Sequence, residues 1–303
     1  MSERQPHIAL ALTVVLVVSA GCAGAFSTPV VDQQGEVLER RSFDGERAYQ
    51  YALDQCDMGP RPPGSEAGWA TGEYILDKLE ELGWKTQTQE FEYRGVRLRN
   101  IVGKRGQGPV VILGAHYDTR PVADRDPEHP GEPIVGANDG ASGVAVLLEL
   151  ADVLRQHELR NEVWLVFFDA EDSGGLNDWP FCVGSAYMAE NLTVEPQWVI
   201  VVDMVGDTDQ QLYYEGNSDP ALSKRLWAIA AELGYHQFVP KVGYTLVDDH
   251  VPFANAGIPA VDIIDFRYQY WHTMGDTRDK ISVASLERVG RVLEEFLTLE
   301  NAG

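Results

Sequence analysis

Three strand-length apolar runs end abruptly in ionisable residues, and that limits the folds open to this chain. "PVVILGAHYD" (109–118) finishes in His116 and Asp118, and "NEVWLVFFDA" (161–170) runs into Glu171 and Asp172. "WVIVVDMVG" (198–206) carries Asp203. A run of Val, Ile, Leu and Phe without polar alternation is buried on both faces, as interior strands of parallel sheets are. "IPAVDIID" (258–265) is a fourth such run. Helical patterns separate them, at 43–57, 66–84, 143–156, 219–234 and 285–300. Two more strands are expected at "TQTQEFEY" (86–93) and "RLRNIVGKR" (97–105). Strands alternating with helices predict an α/β fold, a three-layer sandwich with a mixed, mostly parallel central sheet. One domain over residues 43–303 holds the whole pattern.

In open sheets of this kind, ligands bind beyond the carboxyl ends of the strands. The polar residues there are therefore the candidates. They are His116 and Asp118, Asp139 in "GANDGASG" before the next helix, Glu171 and Asp172, and Asp203. Asp248, Asp249 and His250 follow in "VDDHVPF", and His272 in "YQYWHTMGDT" (268–277). Zinc takes imidazole nitrogen and carboxylate oxygen, and a catalytic zinc keeps one position open. His116, Asp139, Asp172, Asp203 and His272 are residues of those types on separate elements that a parallel sheet brings together. His116-x-Asp118 also fits an imidazole whose second nitrogen is held by a carboxylate. In Glu171-Asp172, one carboxylate can hold a metal while its neighbour stays free as a base. Any one of these acids alone is more commonly a solvated loop residue; the argument rests on their joint placement at strand ends.

The motifs "GAHYDT", "GANDGASG", "FFDAEDSG", "VVDMVGD" and "WHTM", in this order and spacing, resemble the zinc aminopeptidase superfamily. That superfamily includes the bacterial di-zinc aminopeptidases and the glutaminyl cyclases. The resemblance covers roughly residues 45–300 and includes "GPRPPGSEA" near the start. "VDDHVPF" followed by "GIPAVDII" and "YWHTMGDT" resembles the cyclase branch. That branch implies cyclisation of N-terminal glutamine to pyroglutamate with release of ammonia. It implies one zinc on Asp139, Asp172 and His272, with Glu171 as the proton shuttle. Asp203 and Asp249 would form an acid network around that base, with His250 behind Asp249. Trp271 would wall the substrate pocket, and Trp179 would supply a second aromatic. An aminopeptidase would add His116 and Asp203 around a second zinc and cleave N-terminal residues from peptides. A silent binding ectodomain would have lost Glu171 or the ligands. Both branches usually carry Glu-Glu where this chain has Glu171-Asp172, a side chain one methylene shorter.

The remaining expectations concern location and partners. "IALALTVVLVVSAG" (8–21) has the size of a signal-peptide core and precedes Cys22 in "VSAGCAGAF". Residues 1–26 are therefore expected to be a lipoprotein signal, with an uncleaved anchor or plain secretion as alternatives. Residues 27–42 would be a spacer. Each alternative places a monomeric catalytic domain outside the cytoplasm. Cys56 and Cys182 would then be free to pair, or would be two separate buried thiols. The net charge of −23 comes from 47 acidic and 24 basic residues, of which only 6 are Lys. Such a surface repels nucleic acid and anionic lipid and suits cationic partners or a salt-rich habitat. Peptide or protein N-termini, which are cationic, are the expected substrates.

Overall fold

The computed structural model describes residues 41–302. The expected signal segment (1–26) and most of the spacer lie outside them. No helix among the described residues is long and apolar enough to cross a membrane.

The chain begins with two helices, α1 (Gly45–Asp57) and α2 (Glu66–Glu81). Asp44 caps α1 by accepting from the Glu46 and Arg47 N–H groups, and the Ser65 hydroxyl accepts from Gly68 at α2. A hairpin follows, β1 (Lys85–Tyr93) and β2 (Val96–Arg105). Its two-residue turn, Arg94-Gly95, has both φ angles positive, at 51° and 81°, as a tight hairpin requires. Next come β3 (Val110–His116), α3 (Ala141–Leu154), β4 (Glu162–Phe168), α4 (Val183–Glu190) and β5 (Val199–Asp203). The last part holds β6 (Leu212–Glu215), α5 (Pro220–Glu232), β7 (Phe238–Tyr244), α6 (Val251–Asn255), β8 (Ala260–Ile264) and α7 (Val283–Ala302).

Six strands form one sheet in the order β1-β2-β4-β3-β5-β8. The four central and distal strands β4, β3, β5 and β8 are mutually parallel, and β1 and β2 add an antiparallel edge. Alternate strand residues face two different cores. Val111, Leu113, Leu165, Phe167 and Ile200 pack with α3, α5 and α7. Val110, Ile112, Trp164, Val166 and Phe168 pack with Met188 of α4 and Phe253 of α6. The sandwich is thus three-layered, with helices on both faces of a mixed, mostly parallel sheet.

Two features differ from the expectation. α3, expected as a helix over 143–156, is buried at every position, where a helix on the surface buries only one face. It is covered from outside by α1 and α7, so its polar Glu149 takes two charge-assisted hydrogen bonds from Arg47, at 3.0 and 2.6 Å. In addition, β6 and β7 form a small parallel sheet that the sequence pattern does not reveal. Most of β7 is exposed, and Pro240 interrupts it, so no alternation marks it.

Cys56 and Cys182 are separate buried thiols, not a disulfide. Cys56 lies in α1, packed on α3 and α7, whereas Cys182 starts α4, packed on α6 and β2. The sheet stands between these two helical layers.

Candidate active site

Parallel strands deliver their carboxyl ends to one edge of the sheet, and β3 has neighbours on both sides there. The chain moves from β3 to β4 on one side and then to β5 on the other. Such a reversal opens a crevice above the sheet. His116 ends β3, Asp203 ends β5, and Glu171 and Asp172 follow β4 by three and four residues. Asp139 comes from the turn that starts α3. Gly140 there has φ of 100°, and a Cβ on it would meet the Asp118 carbonyl oxygen at 2.6 Å. A Cβ on Gly143 would come within 2.3 Å of the Val202 carbonyl oxygen, so only glycine lets α3 lie this close to β5.

Among the described residues, four of the seven non-glycine residues with positive φ sit on the turns that carry the site: Ala170, Cys182, Met204 and His272. Such conformations cost on the order of 1–3 kcal/mol each and persist where the surroundings over-determine them. The surroundings here are dense. Both Asp118 carboxylate oxygens accept backbone N–H groups at 3.0 Å, one from Glu171 and one from Asp172. Asp118 therefore orients the 171–172 turn. It is 3.6 Å from His116 Nδ1, and that nitrogen has no hydrogen-bond partner. Asp276 holds the Asp139 turn in the same way, accepting from Asn138 N at 2.9 Å and Asp139 N at 3.1 Å. Arg61, from "GPRPPG", is fully buried and donates to carbonyls of Gln55, Gly59, Tyr117, Val135 and Gly136. It ties the Asp139 loop to the end of β3.

The candidates converge on a cavity of about 300 Å³. Asp139, Glu171, Asp172, Asp203, Asp248 and His272 line it on one side. Trp271, Phe181, Phe266 and Leu246 wall it on the other. Trp271 packs edge-on against Phe266 with centroids 4.8 Å apart, and beside the His272 ring at 3.9 Å. His116 is just beneath, its Nε2 3.0 Å from Asp203 Oδ1 and 3.3 Å from Asp139 Oδ1. His272 Nε2 is 2.9 Å from Asp172 Oδ1.

Two residues stand apart from their expected places. Asp249 is not among the residues lining the cavity and accepts from the Ser185 hydroxyl at 2.5 Å. Asp248, its neighbour, is the one that lines the cavity beside Glu171. Trp179 packs edge-on against Tyr93 and lines a separate groove with Pro62, Pro63 and Pro121. Asn177 and Asp178, both at positive φ, turn the chain so that the indole faces β1. His250 sits behind the acids, with Nε2 2.8 Å from Glu215 Oε2 and Nδ1 3.9 Å from Asp262 Oδ2. Asp118's grip on the 171–172 turn, Asp262, Asp276 and the place of Cys182 beside Glu171 were not separable from ordinary loop and core residues by sequence pattern. Cys182 Sγ lies 3.5 Å from Glu171 Oε1.

The charge balance is unusual. Burial, together with Asp139, pushes Asp172 up to about 7, and burial does the same to Asp203 despite His116. Burial raises Glu171 well above the carboxylate range, helped by Asp248, Asp172 and Asp249. Burial opposes ionisation of Asp139 too, but the His116 ring outweighs it and the net shift is downward. For His116, burial works against the charged ring, and Asp203, Asp118 and Asp139 overcome it, raising the ring well above its usual value.

A divalent cation fits this set. Asp139 Oδ2, both Asp172 carboxylate oxygens and His272 Nε2 are buried without a hydrogen-bond partner. Buried polar atoms are seldom left so, because each unpaired one costs about 1–3 kcal/mol. Donor atoms of Asp139, Asp172 and His272 lie within 4.8 Å of one another, and so do those of His116, Asp139 and Asp203. The two groups share Asp139. Their imidazole and carboxylate donors are those zinc takes.

Comparison with known proteins agrees with this geometry. Residues 100–297 match the model of peptidase family M28. The glutaminyl-peptide cyclotransferase of Drosophila melanogaster is 22% identical, over 86% of this chain and 82% of its own length. The crystal structure of Bacteroides thetaiotaomicron glutaminyl cyclase bound to N-acetylhistamine superposes with a TM-score of 0.80 at 35% identity, covering 86% of this chain and 99% of that one. A Zn-dependent exopeptidase from Parabacteroides distasonis superposes with a TM-score of 0.79 at 31% identity, with the same coverage. The chain belongs to peptidase family M28, in the branch that holds the bacterial glutaminyl cyclases.

Proposed function

We propose that this protein is a zinc-dependent glutaminyl-peptide cyclotransferase, converting N-terminal glutamine of peptides to pyroglutamate with release of ammonia. The observation that carries this reading is the cavity itself: an acid pair, Glu171 and Asp248, lines it together with the aromatic side chains Trp271, Phe181 and Phe266, in a space fit for one short side chain. Asp139, Asp172 and His272 would hold one zinc ion. When bound, that ion supplies a Lewis acid for the side-chain amide carbonyl.

The protein's own residues do the rest. Trp271 and Phe266 enclose the glutamine side chain and exclude water, which favours ring closure over hydrolysis. The substrate's α-amine and its own amide carbon are the reacting pair, so the site has only to hold the folded conformer. Glu171 removes a proton from the α-amine as the new C–N bond forms. It returns that proton to the amide nitrogen as the old C–N bond breaks and ammonia leaves. No water is consumed, and Glu171 ends in its starting state. A carboxylate whose affinity for protons is raised by burial suits both halves of this exchange. Asp248 shares the Glu171 environment and strengthens its hold on the proton. Residues 43–303 form the catalytic domain, and the N-terminal segment would deliver it beyond the cytoplasm.

The His116–Asp139–Asp203 group supports a second reading, in which a second zinc makes the site an aminopeptidase. The deciding experiment incubates the zinc-loaded protein with peptides beginning in Gln and in Leu and follows their masses. Loss of one ammonia from the Gln peptide alone is the expected result. Release of a free N-terminal residue, with two zinc ions per chain, would replace it with the peptidase.

A further inference from the structure

His272 lies on an irregular loop with φ of 59°, yet it must hold its ring steady for a metal. A second loop grips it at every level. Asp124 Oδ1 is 3.2 Å from His272 Nδ1. The Arg125 N–H donates to the His272 carbonyl at 3.2 Å, and Asp126 Oδ2 accepts the Met274 N–H at 2.9 Å. The Arg125 guanidinium lies 4.2 Å over the Trp271 ring.

Asp124 is itself held. Arg120, only 3% exposed, donates Nε to Asp124 Oδ1 at 3.0 Å and Nη2 to Oδ2 at 2.9 Å. This two-pronged pair fixes the carboxylate plane. The remaining nitrogen, Nη1, donates to the Asp172 carbonyl at 3.2 Å and the Gly174 carbonyl at 2.8 Å. Asp172 Oδ1 then returns to His272 Nε2 at 2.9 Å. Asp172, Arg120, Asp124 and His272 close a ring around the metal-facing atoms.

We propose that Asp124 is the positioning residue for His272, an inference that rests on the zinc-site reading above. An ionised carboxylate only accepts hydrogen bonds, so the proton on the imidazole resides at Nδ1. Nε2 then presents its lone pair to the ion, and Arg120 couples that orientation to the second ligand, Asp172. Partners of this kind set metal affinity as well as ring direction.

The test is a zinc titration of the metal-stripped full chain against a competing chelator, for wild type, D124A, D124N and D126A. D124A is expected to lose roughly 10- to 100-fold in zinc affinity. D124N should lose less, because its amide oxygen still accepts from Nδ1. D126A removes the Met274 contact and the Glu128 and His129 N–H bonds within its own loop but leaves the Asp124–His272 pair, and should stay close to wild type. The absorption bands of the Co²⁺-loaded form should shift in D124A and not in D126A. Thermal unfolding without metal reports whether each variant is folded, and D124N carries the test if D124A is not. Wild-type affinity in D124A overturns the proposal. So does an equal loss in D126A, which would make loop order the cause. If the wild type itself binds no zinc, the zinc-site reading falls with it, an outcome distinct from both.

Discussion

Glu171 and Asp172 are consecutive, and Asp118 holds both of their N–H groups, yet their side chains enter different surroundings. Asp172 faces His272 and the Arg120 guanidinium, at 2.9 and 3.5 Å. Glu171 faces Asp248 and the Cys182 thiol. One side of the turn gathers cationic partners and keeps unpaired oxygens for an ion. The other side gathers acids, which raises proton affinity. A single strand end thus divides metal holding from proton handling by the direction of two neighbouring side chains.

The largest effect should come from breaking that division at each residue in turn. E171Q removes the shuttle and leaves the ligands, so kcat should fall by roughly 10²- to 10⁴-fold while bound zinc is unchanged. H272A and D172A should lose activity to a similar degree but lose the zinc as well. Metal analysis of the purified variants beside their rates separates the two cases. Zinc loss in E171Q would mean that both carboxylates hold the ion.

Asp118 is what lets the turn present both residues, and D118N tests that dependence. An amide can accept only one of the two N–H groups, so the other is left facing a donor. Both functions should then decline together: stability by about 1–3 kcal/mol in denaturant unfolding, and zinc affinity and kcat in parallel. A fall in kcat alone would place Asp118 on the Glu171 side only.

Asp248 and Asp249 sharpen the comparison further. D248N alters the acid beside Glu171 and should lower kcat by about 10- to 100-fold with little change in zinc affinity. D249N keeps an acceptor for Ser185, and its effect should appear as about 1 kcal/mol of stability. Steady-state rates and unfolding curves on the same two preparations decide the matter. The reverse pattern would exchange their roles.

That pair also shows where sequence stops being informative. His116, Asp203 and the Glu171-Asp172 step were legible because long apolar runs end at them, and sheet polarity then dictates their convergence. "VDDH" has no periodicity to set which acid faces inward. The choice is made by Ser185 of α4, 64 residues away in the chain, which draws Asp249 to itself. Asp124 was equally hidden, in an acid-rich loop where a solvated role is the ordinary one, with its partner His272 far along the chain. Arg61 stood in a noted motif, but its hydrogen bonds to five carbonyl groups depend on the fold of the Asp139 loop. What a side chain meets across the fold is set by packing, and local pattern does not encode it.

The smallest effects belong to the two tryptophans, and they test how far the aromatic wall extends. Trp271 touches both the His272 ring and Phe266 within the cavity. W271A should therefore raise KM for a Gln peptide by roughly 10-fold, since a lost apolar contact to the substrate is worth about 1–3 kcal/mol. Trp179 packs on Tyr93 and faces the proline-lined groove. A dipeptide held only in the cavity never reaches it, so W179A should change its kinetics by less than about 2-fold, the size of a neutral surface substitution. A KM increase in W179A as large as that in W271A would join the groove to the glutamine site and put Trp179 back in the wall.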